Sequence, residues 1–159
     1  MLEHLSVPRG ALSVVSHGNK VLFAGGAHYG QQLIYDIVDI YDVGTGQWST
    51  AHLSEARDAR TAAVVGDMAI FAGGFDWHNV SKRVDIYNFT TNTWSIDSLS
   101  VARECAAIAV IGNKVLIAGG MSASNQRTES RSSWASVHPQ KTEKRADYGE
   151  RGGWRRSPP

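Results

Sequence analysis

The sequence predicts an all-β protein made of repeated four-stranded antiparallel units, and an internal repeat is the main evidence for it. Residues 5–26 align without a gap to residues 53–74 and to residues 99–120, at offsets of 48 and 46 residues. A second repeated piece follows the first two copies, as VDIYDVGTGQW and then VDIYNFTTNTW, but it has no third copy. The 159-residue chain therefore carries two complete repeats and half of another, with a period typical of stacked supersecondary units.

The first half of each repeat predicts a β-hairpin. In the second repeat, two largely apolar runs, Arg60–Val65 and Met68–Ala72, are joined by the dipeptide Gly66-Asp67. Glycine can adopt the positive φ that a two-residue hairpin turn demands, and Gly18-Asn19 and Gly112-Asn113 occupy the same place in the other copies. Short apolar runs bounded by turns indicate strands that are buried on both faces.

The second half of each repeat predicts two further strands. Arg83–Tyr87 (RVDIY) alternates as a strand does when its two faces pack differently. The turn that follows places Gly46 or Asn92 where the backbone needs a positive φ. Trp48 and Trp94 then begin a fourth strand. Ten strands are expected in all, four in each complete repeat and two in the third, with no helix longer than two turns within residues 10–118.

A four-stranded sheet repeated every 40–50 residues is typical of a β-propeller blade. One such sheet cannot bury both of its faces alone, so the Tyr and Trp side chains of each repeat are expected between adjacent blades. The sequence therefore predicts a partial propeller over residues 5–121, with repeats at about 5–52, 53–98 and 99–121.

The recurring residues resemble those of kelch repeats. Each repeat has a glycine pair after an apolar strand. In the first two repeats a Tyr follows the glycine pair, and a Trp follows that Tyr seven residues later. An Arg before each first strand (Arg9, Arg57 and Arg103) fits the same pattern. Over residues 5–123, the resemblance implies an incomplete kelch-type β-propeller of four-stranded antiparallel blades that binds other proteins. Its structural residues would be Gly25, Gly26, Tyr41, Trp48, Gly73, Gly74, Tyr87, Trp94, Gly119 and Gly120.

Kelch propellers in general have five to seven blades, and this chain has too few repeats to close a ring. Either the chain is a fragment or truncated form of a larger propeller protein, or several copies complete a ring together. We expect the first of these. In both cases an exposed blade face and strand edge favour association, so self-association through exposed blade edges stays open as an alternative to a protein partner.

Residues 122–159 differ in character from the repeats. They hold 8 Lys and Arg against 4 Asp and Glu, with much Ser and Gly and no apolar periodicity. Low hydrophobicity with clustered charge predicts a disordered, low-complexity basic tail. The basic and aromatic side chains of the tail could contact RNA in principle, but a solvated tail is the preferred interpretation.

The composition is that of an ordinary soluble protein. The net charge is +1, which gives no general attraction to nucleic acid or to a membrane surface, and no apolar run is long enough to span a bilayer. The single cysteine, Cys105, lies in an apolar run and is expected to be a buried, inert thiol. Without a secretory signal, the expected location is cytoplasmic.

No pattern in the sequence indicates catalysis, so we expect no enzyme activity and no cofactor. Some kelch-like propellers resemble galactose oxidase and hold copper with His and Tyr side chains, and a carbohydrate-binding or oxidase-like domain is the alternative function. The six histidines show no metal-ligand spacing, so no metal is expected. A nucleophile elbow and a phosphate-binding loop are also absent from the sequence.

The loops that differ most between repeats are the best candidates for binding a protein partner. They are Ala27–Asp36 and Phe75–Lys82, at the same place in successive blades, and both contain aromatic residues of the kind that anchor interfaces. Arg57 and Arg103 form a second candidate patch, although structural pairing between blades, with Asp39 and Asp85, is the preferred role for the recurring arginines. The candidate binding residues are Tyr29, Tyr35, Phe75, Trp77, His78, Arg57 and Arg103.

Overall fold

The computed structural model describes residues 4–122 and the backbone of residues 135–137. Three antiparallel sheets follow one another along the chain. Sheet 1 contains β1 (Ser13–His17), β2 (Lys20–Ala24), β5 (Ile37–Asp42) and β6 (Gln47–His52). Sheet 2 contains β7 (Ala62–Val65), β8 (Met68–Ala72), β9 (Arg83–Asn88) and β10 (Thr93–Ser98). Sheet 3 contains β11 (Ala107–Ile111), β12 (Lys114–Ala118) and β13 (Ala135–Val137).

The ten predicted strands are all present, and the all-β fold of four-stranded antiparallel units is confirmed. Within sheet 1 and within sheet 2, the four strands lie side by side in the order in which they occur along the chain, as in the blades of an incomplete kelch-type propeller. The three hairpin turns have the expected left-handed glycines, with φ of 56° at Gly18, 54° at Gly66 and 56° at Gly112. The turn before the fourth strand also has a positive φ, 68° at Gly46 and 56° at Asn92.

Two elements differ from the prediction. A small ribbon of β3 (Ala27–His28) and β4 (Leu33–Ile34), with a 3-10 turn at Tyr29–Gln31 between them, lies in the loop between β2 and β5. The ribbon is closed by the Tyr35 amide, which donates to the Gly26 carbonyl over 2.9 Å. Two-residue strands carry no periodicity, so the sequence gives no signal for them. The second difference is β13, which pairs with β12 although the sequence of its region shows no strand of the repeat.

The sheets pack face to face because each inner strand alternates its apolar side chains between two neighbours. Leu22 and Ala24 of β2 point towards sheet 2, where they meet Phe71 of β8 in one buried cluster. The next residue of β8, Ile70, points the other way and joins Val115 of β12 in a second buried cluster. Sheet 2 is therefore covered on both faces, which explains why β8 is apolar at every position.

The tryptophans occupy matching places in the first two sheets, but only one of them lies between sheets. Trp94 packs against the cluster shared by sheets 1 and 2, with its ring 5.0 Å from that of Tyr87. Trp48 stacks in the same way on Tyr41, at 4.8 Å, on the face of sheet 1 that points away from sheet 2. The expected position between blades is thus confirmed for Trp94 and not for Trp48.

At the glycine pairs, the backbone of one repeat lies directly against the backbone of the next. Gly25 has a φ of 64°, and a Cβ built on it would lie 2.5 Å from the Arg57 carbonyl oxygen of the next repeat. The adjacent amide of Gly26 donates to that same oxygen over 3.0 Å, and Gly74 donates in the same way to the Arg103 carbonyl. A side chain at these positions would push the sheets apart, so the repeat needs glycine there.

We expect Gly73→Ala to destabilise the protein more than Gly119→Ala. Both glycines have a left-handed φ, 63° and 70°, so each alanine should cost about 1–2 kcal/mol of backbone strain. A Cβ at Gly73 would also collide with the Arg103 carbonyl, whereas a Cβ at Gly119 meets no described atom within 4 Å. Urea denaturation should show about 1–3 kcal/mol more loss for Gly73→Ala. Equal losses would contradict this account of the glycine pairs.

The prediction for Cys105 is wrong, because the residue is exposed. β11 begins only at Ala107, and Cys105 lies in the preceding bend with a φ of 51°. The predicted disorder of residues 122–159 falls outside the described residues, apart from Ser122 and the backbone of β13. In the described ranges, no helix has the length and apolar character that crossing a bilayer requires.

Candidate functional site

The two variable loops meet at one end of the sheets and bring three of the predicted binding residues together. Both loops leave their sheet just after a glycine pair, so they project from the same end. The ring centroids of Tyr29 and Trp77 lie 5.2 Å apart with an edge-to-face angle of 78°. Phe75 adds a second edge-to-face contact to Trp77, at 6.4 Å. We call Tyr29, Phe75 and Trp77 the aromatic cluster.

The second loop is held in shape by a side-chain cap. Asp76 Oδ1 accepts the backbone amides of His78 and Asn79, at 2.9 and 2.6 Å. Burial acts to raise the pKa of Asp76, but these amide hydrogen bonds outweigh it and the pKa lies below its ordinary value. The cap fixes Trp77 with a φ of 75°, which is uncommon for a residue other than glycine. The indole is thus presented by a constrained turn.

Two charged residues beneath the aromatic cluster connect it to the segment between sheets 1 and 2. Arg60 donates to the Tyr29 hydroxyl and forms an ion pair with Asp58, Nε to Oδ2, at 3.1 Å. Asp58 Oδ1 accepts the Phe75 amide over 2.8 Å. Burial raises the pKa of Asp58, with Glu104 acting in the same direction and the Phe75 amide and Arg60 against it. These contacts tie both loops to the scaffold.

Asp58 and Arg60 were missed by the sequence analysis, which considered only the loops and the recurring arginines. The available signal was weak: the sequence Arg57-Asp58-Ala59-Arg60 carries a charged pair that the first repeat lacks at the same positions. A departure of this kind from the repeat marks a residue that the shared fold does not require.

Two polar atoms at the aromatic cluster are buried and have no hydrogen-bond partner among the described residues. They are Nε1 of Trp77 and Nδ1 of His28. Leaving a buried polar group unpaired costs about 1–3 kcal/mol, so such atoms are uncommon in folded proteins. Here they lie beside Tyr29, which is 52% exposed. Both atoms are covered by the protein itself, so the accessible part of the cluster is the Tyr29 ring.

The other loop candidates have different surroundings. Tyr35 is half-buried and its backbone accepts the Arg57 amide over 3.2 Å, so it closes the first loop. His78 is exposed and lies within the turn that Asp76 caps. A groove of about 570 Å³ adjoins this turn. Its lining includes Glu55, Asp76, Asn79, Ser81 and Arg83.

The recurring arginines do not form an accessible patch. Arg57 is fully buried, where it donates to the carbonyls of Gly73 and Phe71 and pairs with Asp85 at 2.6 Å. Arg9 repeats the arrangement in sheet 1, with an ion pair to Asp39 at 2.7 Å. The preferred structural role is therefore correct, but each pair lies within one repeat rather than between blades.

Arg103 occupies the same place in the third repeat and is also buried, at 6% exposure. It donates to the Gly119 carbonyl, and burial lowers its pKa. A partner could not reach Arg57 or Arg103 while the sheets are packed as described.

No group of three or more His, Cys, Asp or Glu side chains within the described residues is placed to hold a metal ion. The aromatic cluster itself contains Tyr29, and two histidines, His28 and His78, adjoin its residues in the chain. Tyr29 accepts a hydrogen bond from Arg60, which leaves its hydroxyl in a protein contact rather than in a ligand set.

Residues 56–96 match the family model described as the Kelch motif. The matched segment contains Arg57, the whole of β7, β8 and β9, and β10 as far as Ile96. No curated protein sequence matches the chain. The second repeat is therefore similar to the kelch motif, which confirms the resemblance seen in the sequence for the sheet that is packed on both faces.

Proposed function

We propose that this kelch-type module is a protein-interaction module without catalytic activity, and that its partner binds at the aromatic cluster. The observation that carries the proposal is the contact between Tyr29 and Trp77, which joins two loops from different repeats. A surface formed by two repeats is presented only by the folded module, which suits recognition of a folded or extended polypeptide.

The chemistry of the cluster fits a polypeptide partner. Tyr and Trp are enriched among residues that dominate protein interfaces, because each combines a large apolar surface with a hydrogen-bonding group. The half-exposed ring of Tyr29 offers the apolar surface that a partner's side chains would cover. Loops on a rigid β scaffold lose little conformational freedom on binding, which favours affinity.

A peptide selection tests the proposal directly. Peptides selected from a random display library on the immobilised full chain should bind wild-type protein and lose about 10- to 30-fold in affinity on Trp77→Gly. Glycine tolerates the positive φ at this position, so the change removes the indole without backbone strain. Tyr29→Ala, which removes the half-exposed ring of the cluster, should weaken the same peptides.

Ile96→Ser is the matched control. Ile96 is a 56% exposed apolar residue of β10, outside both loops, and its replacement should leave peptide affinity unchanged. Selected peptides that bind Trp77→Gly and Tyr29→Ala as tightly as wild type would contradict the proposed site. Their affinity can be measured by fluorescence anisotropy, with circular dichroism to verify that each variant is folded.

A further inference from the structure

The outer face of sheet 3 exposes apolar side chains that its counterparts bury. Ile70 of β8 and Leu22 of β2 are 0% exposed, whereas Leu116, at the same position in β12, is 36% exposed. The contrast is larger at the end of the first strand, where Val65 is 2% and Ile111 is 66% exposed. Sheet 3 covers one face of sheet 2, but among the described residues no further sheet covers the equivalent face of sheet 3.

The outer face of sheet 1 is exposed in the same way. Its side chains, however, occupy the repeat positions that face the preceding sheet, whereas those of sheet 3 occupy the positions that face the following sheet. Phe71 of β8 is 0% exposed because sheet 1 covers it, while Phe23 at the matching position of β2 is only partly buried. Val14 of β1 is 53% exposed on this side. Its counterpart in β7, Ala62, packs against the cluster between sheets 1 and 2.

The two exposed faces are therefore complementary by construction. By repeat position, the outer face of sheet 3 is equivalent to the face of sheet 1 that packs on sheet 2. The outer face of sheet 1 is equivalent to the face of sheet 2 that packs on sheet 1. The chain already contains this interface twice, between sheets 1 and 2 and between sheets 2 and 3. Placing the two outer faces together would continue the same stack.

Polar groups at the internal interface have counterparts at the outer faces. Lys20 Nζ lies 3.4 Å from the Tyr87 hydroxyl of the next sheet and 6.0 Å from its ring centroid. The third repeat has Lys114 in place of Lys20, and the first has Tyr41 in place of Tyr87. A Cβ built on Gly119 meets no described atom within 4 Å, and Gly119 occupies the repeat position at which Gly25 meets the carbonyl of a following arginine.

We propose that a second copy of this chain is the occupant of both faces, with sheet 3 of one copy packed against sheet 1 of the next. Lys114 of one copy would then contact Tyr41 of the other, and the backbone at Arg9 would approach Gly119. The interface joins two different faces, so each copy keeps one face open and association continues beyond a dimer unless the ring closes.

The experiment blocks one outer face at a time by placing a charged residue at an exposed position on that face. Val14→Asp places a charge on the outer face of sheet 1, and Ile111→Asp places one on the outer face of sheet 3. Both side chains are more than half exposed, so neither change should unfold the chain. Ile96→Asp, at an exposed position of the sheet between them, is the matched control. Sedimentation velocity of the full chain measures association over a range of concentrations.

Wild type and Ile96→Asp should form species larger than a dimer as concentration rises, and each blocked variant alone should remain monomeric. An equimolar mixture of the two blocked variants should form a heterodimer and nothing larger, because it contains one competent pair of faces. A monomeric wild type would overturn the proposal. Self-association of either blocked variant at the wild-type level would overturn it as well, since it would show pairing of like faces.

Discussion

Phe71→Ala should lower the free energy of unfolding by about 3–5 kcal/mol, as expected for a large aromatic side chain removed from a packed core. Phe71 is 0% exposed between sheets 1 and 2, so its loss leaves a cavity that the rigid β8 backbone cannot close. Phe23→Ala provides the matched comparison. It removes the same side chain at the same position of the preceding repeat, where burial is partial, and should cost about 1–2 kcal/mol.

Both substitutions are best compared in the Ile111→Asp background, so that association of copies does not bury Phe23. Urea denaturation followed by tryptophan fluorescence gives the two unfolding free energies. Similar losses for Phe71→Ala and Phe23→Ala would mean that the contact between sheets 1 and 2 contributes little to stability, contrary to the burial seen in the structure.

Arg57→Ala should destabilise the protein by about 3–5 kcal/mol, because it leaves a buried carboxylate without its cation. Asp85 is 2% exposed, and its remaining described hydrogen bond comes from the Ser54 amide at 2.9 Å. The carbonyls of Gly73 and Phe71 would also lose the donors that Arg57 supplies. The effect should appear as a lower urea midpoint.

A double substitution separates the ion pair from simple loss of packing. Arg57→Met with Asp85→Leu removes both charges and keeps apolar volume, so it should be more stable than Arg57→Ala alone. Arg9→Ala would test the equivalent pair with Asp39 in sheet 1. If the double variant is as unstable as Arg57→Ala, the buried charge is not the cause of the loss.

The sequence by itself determined the strands and the turns that join them. Short-range chemistry decides these features: a left-handed glycine at Gly18 or Gly66 sets a hairpin, and alternation in Arg83–Tyr87 sets a strand with two different faces. The repeat then implied that the units stack. It also implied that two variable loops, with Tyr29 and Trp77, share one end of the stack.

Only the tertiary structure decided which side chains are accessible. The sequence left Arg57 as either a pairing residue between blades or part of a binding patch, and the structure buries it against the carbonyls of Gly73 and Phe71 and the carboxylate of Asp85 in its own repeat. The sequence predicts that Cys105 belongs to an apolar strand, but the residue lies in the bend before β11 and is exposed there. The repeat assigns Leu22, Ile70 and Leu116 the same role, yet a neighbouring sheet covers the first two and leaves the third exposed. Whether a side chain is buried depends on which sheet packs against its face, and the local sequence does not specify that sheet.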